Sequence, residues 1–523
     1  MRRTPFGEIY PASAFKLMHE TSENPANNLS LNLVFLLLIV FLLEGTPIPS
    51  VNECLYLLLP LKQWNSNFLL NDWTLTPVWY NHLVFDSFLA PFTAVFSLQM
   101  IGWCGRIACW ILGLLAIFRV TSHFQIPRWM TSIAVCLWLI EGQSIAGGEW
   151  LFGTFEAKDI AYPLLLLSLD GFIRGRPTMA AILLGFSFSF HPAVGMWGAL
   201  SVGLTLIAMG TSVRKLSSII GCVFLCSLPG LIPLFIEMHQ DAAHTMADWK
   251  FLTLVRMPHH LDPLSWPARS ILLMHIMLLF NWFHWRTNKE SQALRWLVGF
   301  QIAAAVFFDG GILARILGRY DLLNLMPFRL FPPIVMLFFF LSVFHAYYNS
   351  NRRTVTPLAA GLGLLALLGL KDPVGVLADK SRETYKSWRA PKDDLAKTFE
   401  WLSKNSPNGK VVILPPWRAD SFYLAQRAQV ANWQAVPVGR AREWRERMEA
   451  MTGKDWEQTR GESLLQKMEQ SYALLTLAQI RDMAAKYNCS YLVSNSDYPL
   501  TTLFRSGTYK IYLLEELRST PDK

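Results

Sequence analysis

The sequence predicts an α-helical polytopic membrane protein with about eleven transmembrane helices, followed by a soluble C-terminal α/β domain. Three observations predict it. Only 16 % of the 523 residues are charged and 52 % are hydrophobic, whereas a soluble chain of this length carries about 25 % charged residues. The deficit lies almost wholly before Leu370, where apolar runs of roughly 15–20 residues alternate with short polar pieces. After Leu370 the composition turns polar, and helix-period and strand-period segments alternate.

Residues 1–30 form an N-terminal segment with Arg2, Arg3 and Lys16 and a polar stretch to Ser30. The apolar run at 31–43 lacks a small-residue cleavage pattern after it and reads as an uncleaved first helix. Residues 44–100 read as one large loop. It carries VNECLYLLLPLKQW and NHLVFDSFLAPFTAVFSL, which are amphipathic and broken by Pro60, Asp86 and Pro91. Further spans are expected near 101–118, 129–143, 159–173, 177–192, 194–210, 216–236, 267–285, 295–314, 322–348 and 354–370. If 82–98 does not cross, the basic pieces at 119–128, 174–176, 214–215, 286–295 and 352–353 all fall on the cytoplasmic side, as membrane insertion prefers. The expected protein is then a multi-pass protein of the inner (plasma) membrane, with a cytoplasmic N-terminus and residues 31–370 as its membrane domain. Residues 371–523 form the domain outside the cytoplasm. The outer loops hold most acids and histidines, so the chemistry is expected on the outer face.

In the last domain Asp393 is expected to cap the helix DDLAKTFEWLSK. VVILPP, SYLVS and YKIYLL read as strands, ANWQAVPV as strand and turn, and AREWRERMEAM and LAQIRDMAAKY as helices. It has no P-loop, nucleophile elbow or dinucleotide fingerprint. Cys104, Cys109, Cys136, Cys222 and Cys226 lie in apolar runs and read as small core residues, and no cysteine spacing suits a metal. The net charge of +9 is spread over many short loops. It reads as an orientation signal and not as a nucleic-acid surface.

Candidate chemistry concentrates at 142–163, GQSIAGGEWLFGTFEAKDIAYP. Glu149, Glu156, Lys158 and Asp159 lie here between membrane-grade runs, and such charges must face water, each other or a substrate. Trp150, Phe152 and Phe155 alternate with them, and Gly147, Gly148 and Gly153 discourage regular helix. A solvated turn is the competing reading. Lys158 either holds a phosphate as a point charge or pairs with Glu156 or Asp159. Asp72, beside Trp73, suits a general base or metal ligand, and equally a turn or helix cap. Asp86 has His82 four residues before it, which suggests a structural pair. His191, at a helix end, is either a hydrogen-bonded core residue or a substrate contact. His259, His260 and Asp262 resemble a metal cluster only loosely. Arg315 and Arg319 are spaced to share a helical face, and Arg329 sits deep in LNLMPFRLFPP. Such arginines meet a carboxylate, a carbonyl or a phosphate.

This arrangement resembles the GT-C class of membrane glycosyltransferases, which includes oligosaccharyltransferases, protein O-mannosyltransferases and aminoarabinose transferases. NDW at 71–73, GGEWLFGTFEAK at 147–158, FHPAVGMW at 190–197 and MPFRL at 326–330 are most similar to an uncharacterised bacterial branch of the class. The chain lacks the WWD-type motif of oligosaccharyltransferases and the adjacent Asp-Glu pair of protein mannosyltransferases. The resemblance implies transfer of a sugar from a polyprenyl-(di)phosphate carrier in the lipid bilayer to an acceptor it does not identify. Asp72 would be the catalytic base, Glu149 or Glu156 the assisting acid, and Arg329 or Arg315 the phosphate ligand. It implies no required cofactor, with a divalent metal allowed. A transporter or flippase of a lipid-linked intermediate is the main alternative, but no internal repeat supports it. A non-catalytic protein binding envelope polysaccharide is the other.

Overall fold

The computed structural model describes residues 28–50, 52–75, 82–241, 244–348, 372–437, 439–454 and 462–518. The expected span at 354–370 and the N-terminal segment 1–27 lie outside these residues.

Helix α1, Leu29–Glu44, starts where the Asn28 side chain accepts from the amides of Ser30 and Leu31 at 2.9 and 3.3 Å, the usual remedy for unpaired first-turn donors. The membrane domain continues through α2 (Leu98–Thr121), α3 (Arg128–Ile140), α4 (Ala157–Ile173), α5 (Pro177–Phe190), α6 (Pro192–Ala208), α7 (Val213–Asp241), α8 (Ala268–Thr287), α9 (Gln292–Ile316) and α10 (Phe331–Tyr348). Four of these, α2, α7, α9 and α10, are long and apolar enough to cross a membrane. Several others, such as the 13-residue α3, rise only about 20 Å against a hydrocarbon core of about 30 Å. The eleven spans expected from the sequence are therefore not all matched by helix length. Helix α10 is buried on nearly all sides, whereas α7 turns Phe224, Leu225, Ile232 and Phe235 outward, an apolar face suited to lipid.

Between α1 and α2 the described part of the large loop forms short helices, Glu53–Tyr56, Leu58–Trp64 and Leu83–Leu89, the last continuing as a 3-10 turn, Ala90–Ala94. That final piece is about 18–20 Å long, too short to span.

The C-terminal domain opens with α11, Pro373–Arg389, which the sequence reading placed wholly in the soluble unit. It packs along α1 and α3. Trp388 stacks on Trp103 with ring centroids 5.6 Å apart and donates from Nε1 to the Gly45 carbonyl at 2.6 Å. Helix α12, Asp394–Asn405, is capped by Asp393, whose carboxylate accepts from the Ala396 amide at 2.7 Å. Strands β1 (Val411–Ile413), β2 (Ala428–Gln429), β3 (Cys489–Ser494), β4 (Thr502–Ser506) and β5 (Tyr509–Leu513) form a sheet of order β2-β1-β3-β5-β4. β1 runs parallel to β2 and β3, and β5 antiparallel to β3 and β4. Side chains alternate between its two faces. Val412, Val493 and Ile511 meet Leu395 and Phe399 of α12, while Ile413, Leu492 and Tyr512 meet the helices α13 (Ala441–Thr452), α14 (Glu462–Ala473) and α15 (Leu477–Lys486).

Residues 431–437 of ANWQAVPV are not a strand. Its Asn432 Oδ1 accepts from the Gln434 amide at 2.8 Å and its Nδ2 donates to the Arg418 carbonyl at 2.9 Å. Local side-chain bonding of this kind competes with a ladder, so the strand stops at Gln429. This irregular segment turns toward the membrane domain. Phe251 and Leu252, from the loop after α7, join Trp444 and Met448 in one buried cluster, with Trp73 packed against it.

Candidate functional site

The stretch after α3 is a loop that folds over itself before α4 begins. Gly147 and Gly148 have positive φ of 75° and 59°, a region where a side chain is strained. Gly153 lies under the Trp150 ring so closely that a Cβ would come within 2.7 Å of it. Gln143 ties the loop down: its Oε1 accepts from the amides of Leu151 and Phe152, both at 2.8 Å. Helix α4 then starts at Ala157, with the Glu156 amide donating to Asp159 Oδ2 at 2.8 Å.

This path brings Glu149, Glu156, Lys158 and Asp159 together, each at most 2 % exposed. Lys158 Nζ lies 3.5 Å from Glu149 Oε1 and 3.8 Å from Glu156 Oε2, and 3.4 Å above the Trp150 ring, a cation–π contact. The turn before α10 supplies Arg329, whose Nη1 meets Glu149 Oε2 at 2.7 Å. Tyr162 of α4 donates to the Arg329 carbonyl at 2.8 Å and to Glu149 Oε1 at 3.3 Å. Glu156 Oε1 accepts from Thr154 and from Asn52, both at 2.9 Å. Asn52 Oδ1 in turn accepts from Gln434 Nε2 of the C-terminal domain. Within this group the Arg329 side chain is 14 % exposed, against 0–3 % for Glu149, Glu156 and Lys158. It is the most exposed charged group of the cluster.

A histidine wall adjoins the cluster. Tyr56 OH is 3.1 Å from His82 Nε2, and the His82 and His191 rings are 6.0 Å apart. Burial, aided by the Arg329 charge, pushes His82 down to about 3, so its ring is neutral at physiological pH. His191 caps α6, its Nδ1 accepting from the Val194 amide at 3.3 Å. His260 donates from Nδ1 to the Gly147 carbonyl at 2.7 Å. Asp86 does not pair with His82. Its Oδ1 is buried and unbonded.

Other expected site residues lie elsewhere. Asp72 is fully buried, and backbone amides occupy both carboxylate oxygens. Oδ1 accepts from Thr74 and Leu75 at 2.9 and 2.8 Å, and Oδ2 from Gln429 at 2.9 Å. Trp73 donates to the Val430 carbonyl at 2.5 Å beneath the Arg447 guanidinium. Together these two residues clamp the large loop to the C-terminal domain, an arrangement that suits the turn-capping alternative for Asp72. Arg315 pairs with Asp262 at 2.8 Å. Arg319 lies beyond the end of α9, at Ile316, and forms an exposed fork with Asp321 at 3.0 and 2.6 Å. The two arginines share no helical face. Asp262 being taken by Arg315, the loose His259–His260–Asp262 reading falls away. Among the described residues no group of three metal-binding side chains converges. Within the cluster Glu149 pairs with Arg329 and lies near Lys158, as does Glu156, while Asp159 Oδ1 is buried without a hydrogen-bond partner among the described residues.

A buried ion pair went unread in the sequence. Arg106 of α2 forks onto Glu53, Nε to Oε1 at 2.6 Å and Nη2 to Oε2 at 2.5 Å, with both side chains fully buried. Glu53 also accepts from the Phe155 amide at 2.7 Å, which fixes the loop one residue before Glu156. The available signal was a lone arginine inside an apolar run.

Folding raises the Asp72 carboxyl from 3.8 to about 6. Burial is the cause, opposed by the three amides and Lys62. A raised carboxyl stabilises the clamp fully below about pH 4 and loses that contribution as pH rises through about 6, about 3 kcal/mol for a shift of two units. Melting curves from pH 4 to 8 should show this decline in the wild type and lack it in Asp72→Asn. Parallel pH profiles would contradict the assignment.

The comparisons with known proteins bear on this geometry. A family profile described as a domain of unknown function, DUF6798, matches residues 393–451, the piece carrying α12, β1, β2, Gln434 and most of α13. No curated protein matches the chain. Among solved structures it is similar to an Archaeoglobus fulgidus oligosaccharyltransferase complexed with zinc and sulfate. Identity is 15 %, the TM-score is 0.49, and the match covers 88 % of this chain and 67 % of that one. It is also similar to the archaeal oligosaccharyltransferase AglB from Archaeoglobus fulgidus with an inhibitory peptide and a dolichol-phosphate. There identity is 14 %, the TM-score is 0.50, and coverage is 89 % of this chain and 69 % of that one. Both are archaeal, and neither points to the bacterial branch suggested by the motifs. Such identities establish fold alone: the chain is a mostly helical membrane protein with a GT-C-like fold and a small C-terminal sheet domain.

Proposed function

We propose that the chain is a GT-C-type glycosyltransferase that moves a sugar from a polyprenyl-phosphate or -diphosphate carrier to an acceptor on the outer face of the membrane. In this reading the membrane is the inner (plasma) membrane, crossed about eleven times from a cytoplasmic N-terminus. One observation carries it: Glu149, Glu156, Lys158 and Arg329 converge in one largely buried cluster, linked through Asn52 to Gln434 of the C-terminal domain, in a fold similar to that of an archaeal oligosaccharyltransferase solved with a dolichol-phosphate.

Each group then has a role. Glu156, held by Asn52 and Thr154, takes the proton of the acceptor hydroxyl. The acceptor oxygen bonds to the anomeric carbon as the bond from that carbon to the carrier phosphate oxygen breaks. The phosphate leaves with the electron pair, and Arg329 and Lys158 meet its growing charge. Glu149 holds both cations in position. One displacement with one base inverts the anomeric centre, in contrast to the paired carboxylates of retaining hydrolases.

The test uses the full chain in liposomes with a sugar-labelled polyprenyl phosphate and mixed envelope glycans. Release of free polyprenyl phosphate together with a labelled glycan product is expected. Label that crosses the bilayer with no product formed would show a transporter instead.

A further inference from the structure

The loop after α7 contains a π-helical turn, Leu252–Arg256, an uncommon geometry often found at functional sites. It delivers Arg256 to the seam beneath the C-terminal domain. The guanidinium lies 4.9 Å from the Trp433 ring centroid and donates from Nη2 to the Gln434 carbonyl at 3.1 Å. Its Nε is buried and, among the described residues, has no hydrogen-bond partner. Among the described residues it meets no carboxylate, in contrast to Arg106, Arg315 and Arg329, which all pair with one. A desolvated arginine without a counter-ion is costly, and burial pulls it down to about 10, so it still carries its charge at neutral pH.

Its surroundings belong to the site above. Gln434, which receives the Arg256 bond, also reaches Asn52 through Nε2, and Asn52 holds Glu156 at 2.9 Å. The charges of both Arg256 and Arg329 bear on His259, whose ring packs 4.1 Å from His260. Glu149 and Glu156 are already engaged by Arg329 and Lys158. Arg256 is thus a fixed, planar cation that, among the described residues, has no carboxylate counter-ion, beside a cluster whose Glu149 and Glu156 are already engaged. The Trp433 stack and the Gln434 carbonyl hold its plane, which favours forked binding of a carboxylate or phosphate.

We propose that Arg256 binds the anionic group, a phosphate or a carboxylate, of a molecule seated at the seam between the loop after α7 and the segment at 430–437. This deepens the proposed function, since that molecule is either the lipid-linked donor or an acidic acceptor of the same site. A purely structural Arg256 would dock the C-terminal domain and recognise nothing.

Binding separates these, and it needs no turnover. The full chain in nanodiscs is titrated with polyprenyl phosphate, inorganic phosphate and glucuronate, for the wild type, Arg256→Gln and Arg256→Lys. At least one probe is expected to bind the wild type and to lose at least tenfold in affinity in Arg256→Gln, with a smaller loss in Arg256→Lys and an unchanged melting midpoint. Loss for polyprenyl phosphate places the anion on the donor. Loss for glucuronate or inorganic phosphate, with polyprenyl phosphate unaffected, places it on the acceptor. Equal binding by wild type and Arg256→Gln, no binding by the wild type, or losses that only follow a lowered midpoint would overturn the inference. A chain that binds an anion through Arg256 and transfers no sugar would sink the glycosyltransferase reading and leave this one standing.

Discussion

Arg106→Met is expected to destabilise the protein by about 3–5 kcal/mol, the cost of leaving one member of a buried ion pair alone. The Glu53 and Arg106 side chains are completely buried and joined by two short bonds. Glu53 accepts from Ser50 and Phe155 as well, and Arg106 donates to the Thr46 carbonyl at 2.6 Å. The pair therefore ties together α2, the start of the large loop and the loop that positions Glu156. Methionine fills the volume but leaves the Glu53 charge uncompensated. Glu53→Gln combined with Arg106→Met should cost clearly less than the sum of the single changes, because neither residue then strands a charge. Denaturation of the detergent-solubilised chain measures both, and additive effects would show that the pair is not coupled.

Arg329→Gln is expected to act on stability and function together. Glu149 is 1 % exposed and loses its 2.7 Å partner. Lys158 at 3.5 Å and Tyr162 at 3.3 Å remain, so the destabilisation should fall at the low end for a broken buried pair, about 3 kcal/mol. The functional effect should be larger. If Arg329 meets the leaving phosphate, transfer falls by about 100-fold or more. Glu149→Gln in the same background should recover part of the stability and none of the rate. Equal recovery of both would make Arg329 a structural residue only.

The sequence carried the fold further than the site. A long-range apolar pattern, a polar last third and basic short loops sufficed for a helical membrane domain with an α/β appendage, because hydrophobic length and charge bias act locally. The Asp393 cap was equally local and equally readable. What depended on tertiary contact was not readable. Asp72 beside Trp73 has the composition of a catalytic acid; its Oδ1 is met locally by Thr74 and Leu75, but the amide on Oδ2 comes from Gln429, 357 residues away. The i, i+4 spacing of Arg315 and Arg319 carried no meaning once α9 ended at Ile316. Glu149 and Glu156 converge through the path of the loop and through Lys158. Gln434, Asn52 and Arg256 gave no local signal. They matter because the segment at 430–437 trades strand for turn and lies over the membrane domain.

The most direct measurement is the initial rate at which label leaves a sugar-labelled polyprenyl phosphate and appears in glycan, for the wild type and for Glu156→Gln in the same bilayer. Glutamine keeps the oxygen that accepts from Asn52 and Thr154 but cannot take a proton. The account predicts a rate lower by about 10²–10⁴-fold in a chain that still folds, with the melting midpoint lowered less than in Arg329→Gln. Transfer at the wild-type rate in Glu156→Gln would contradict it.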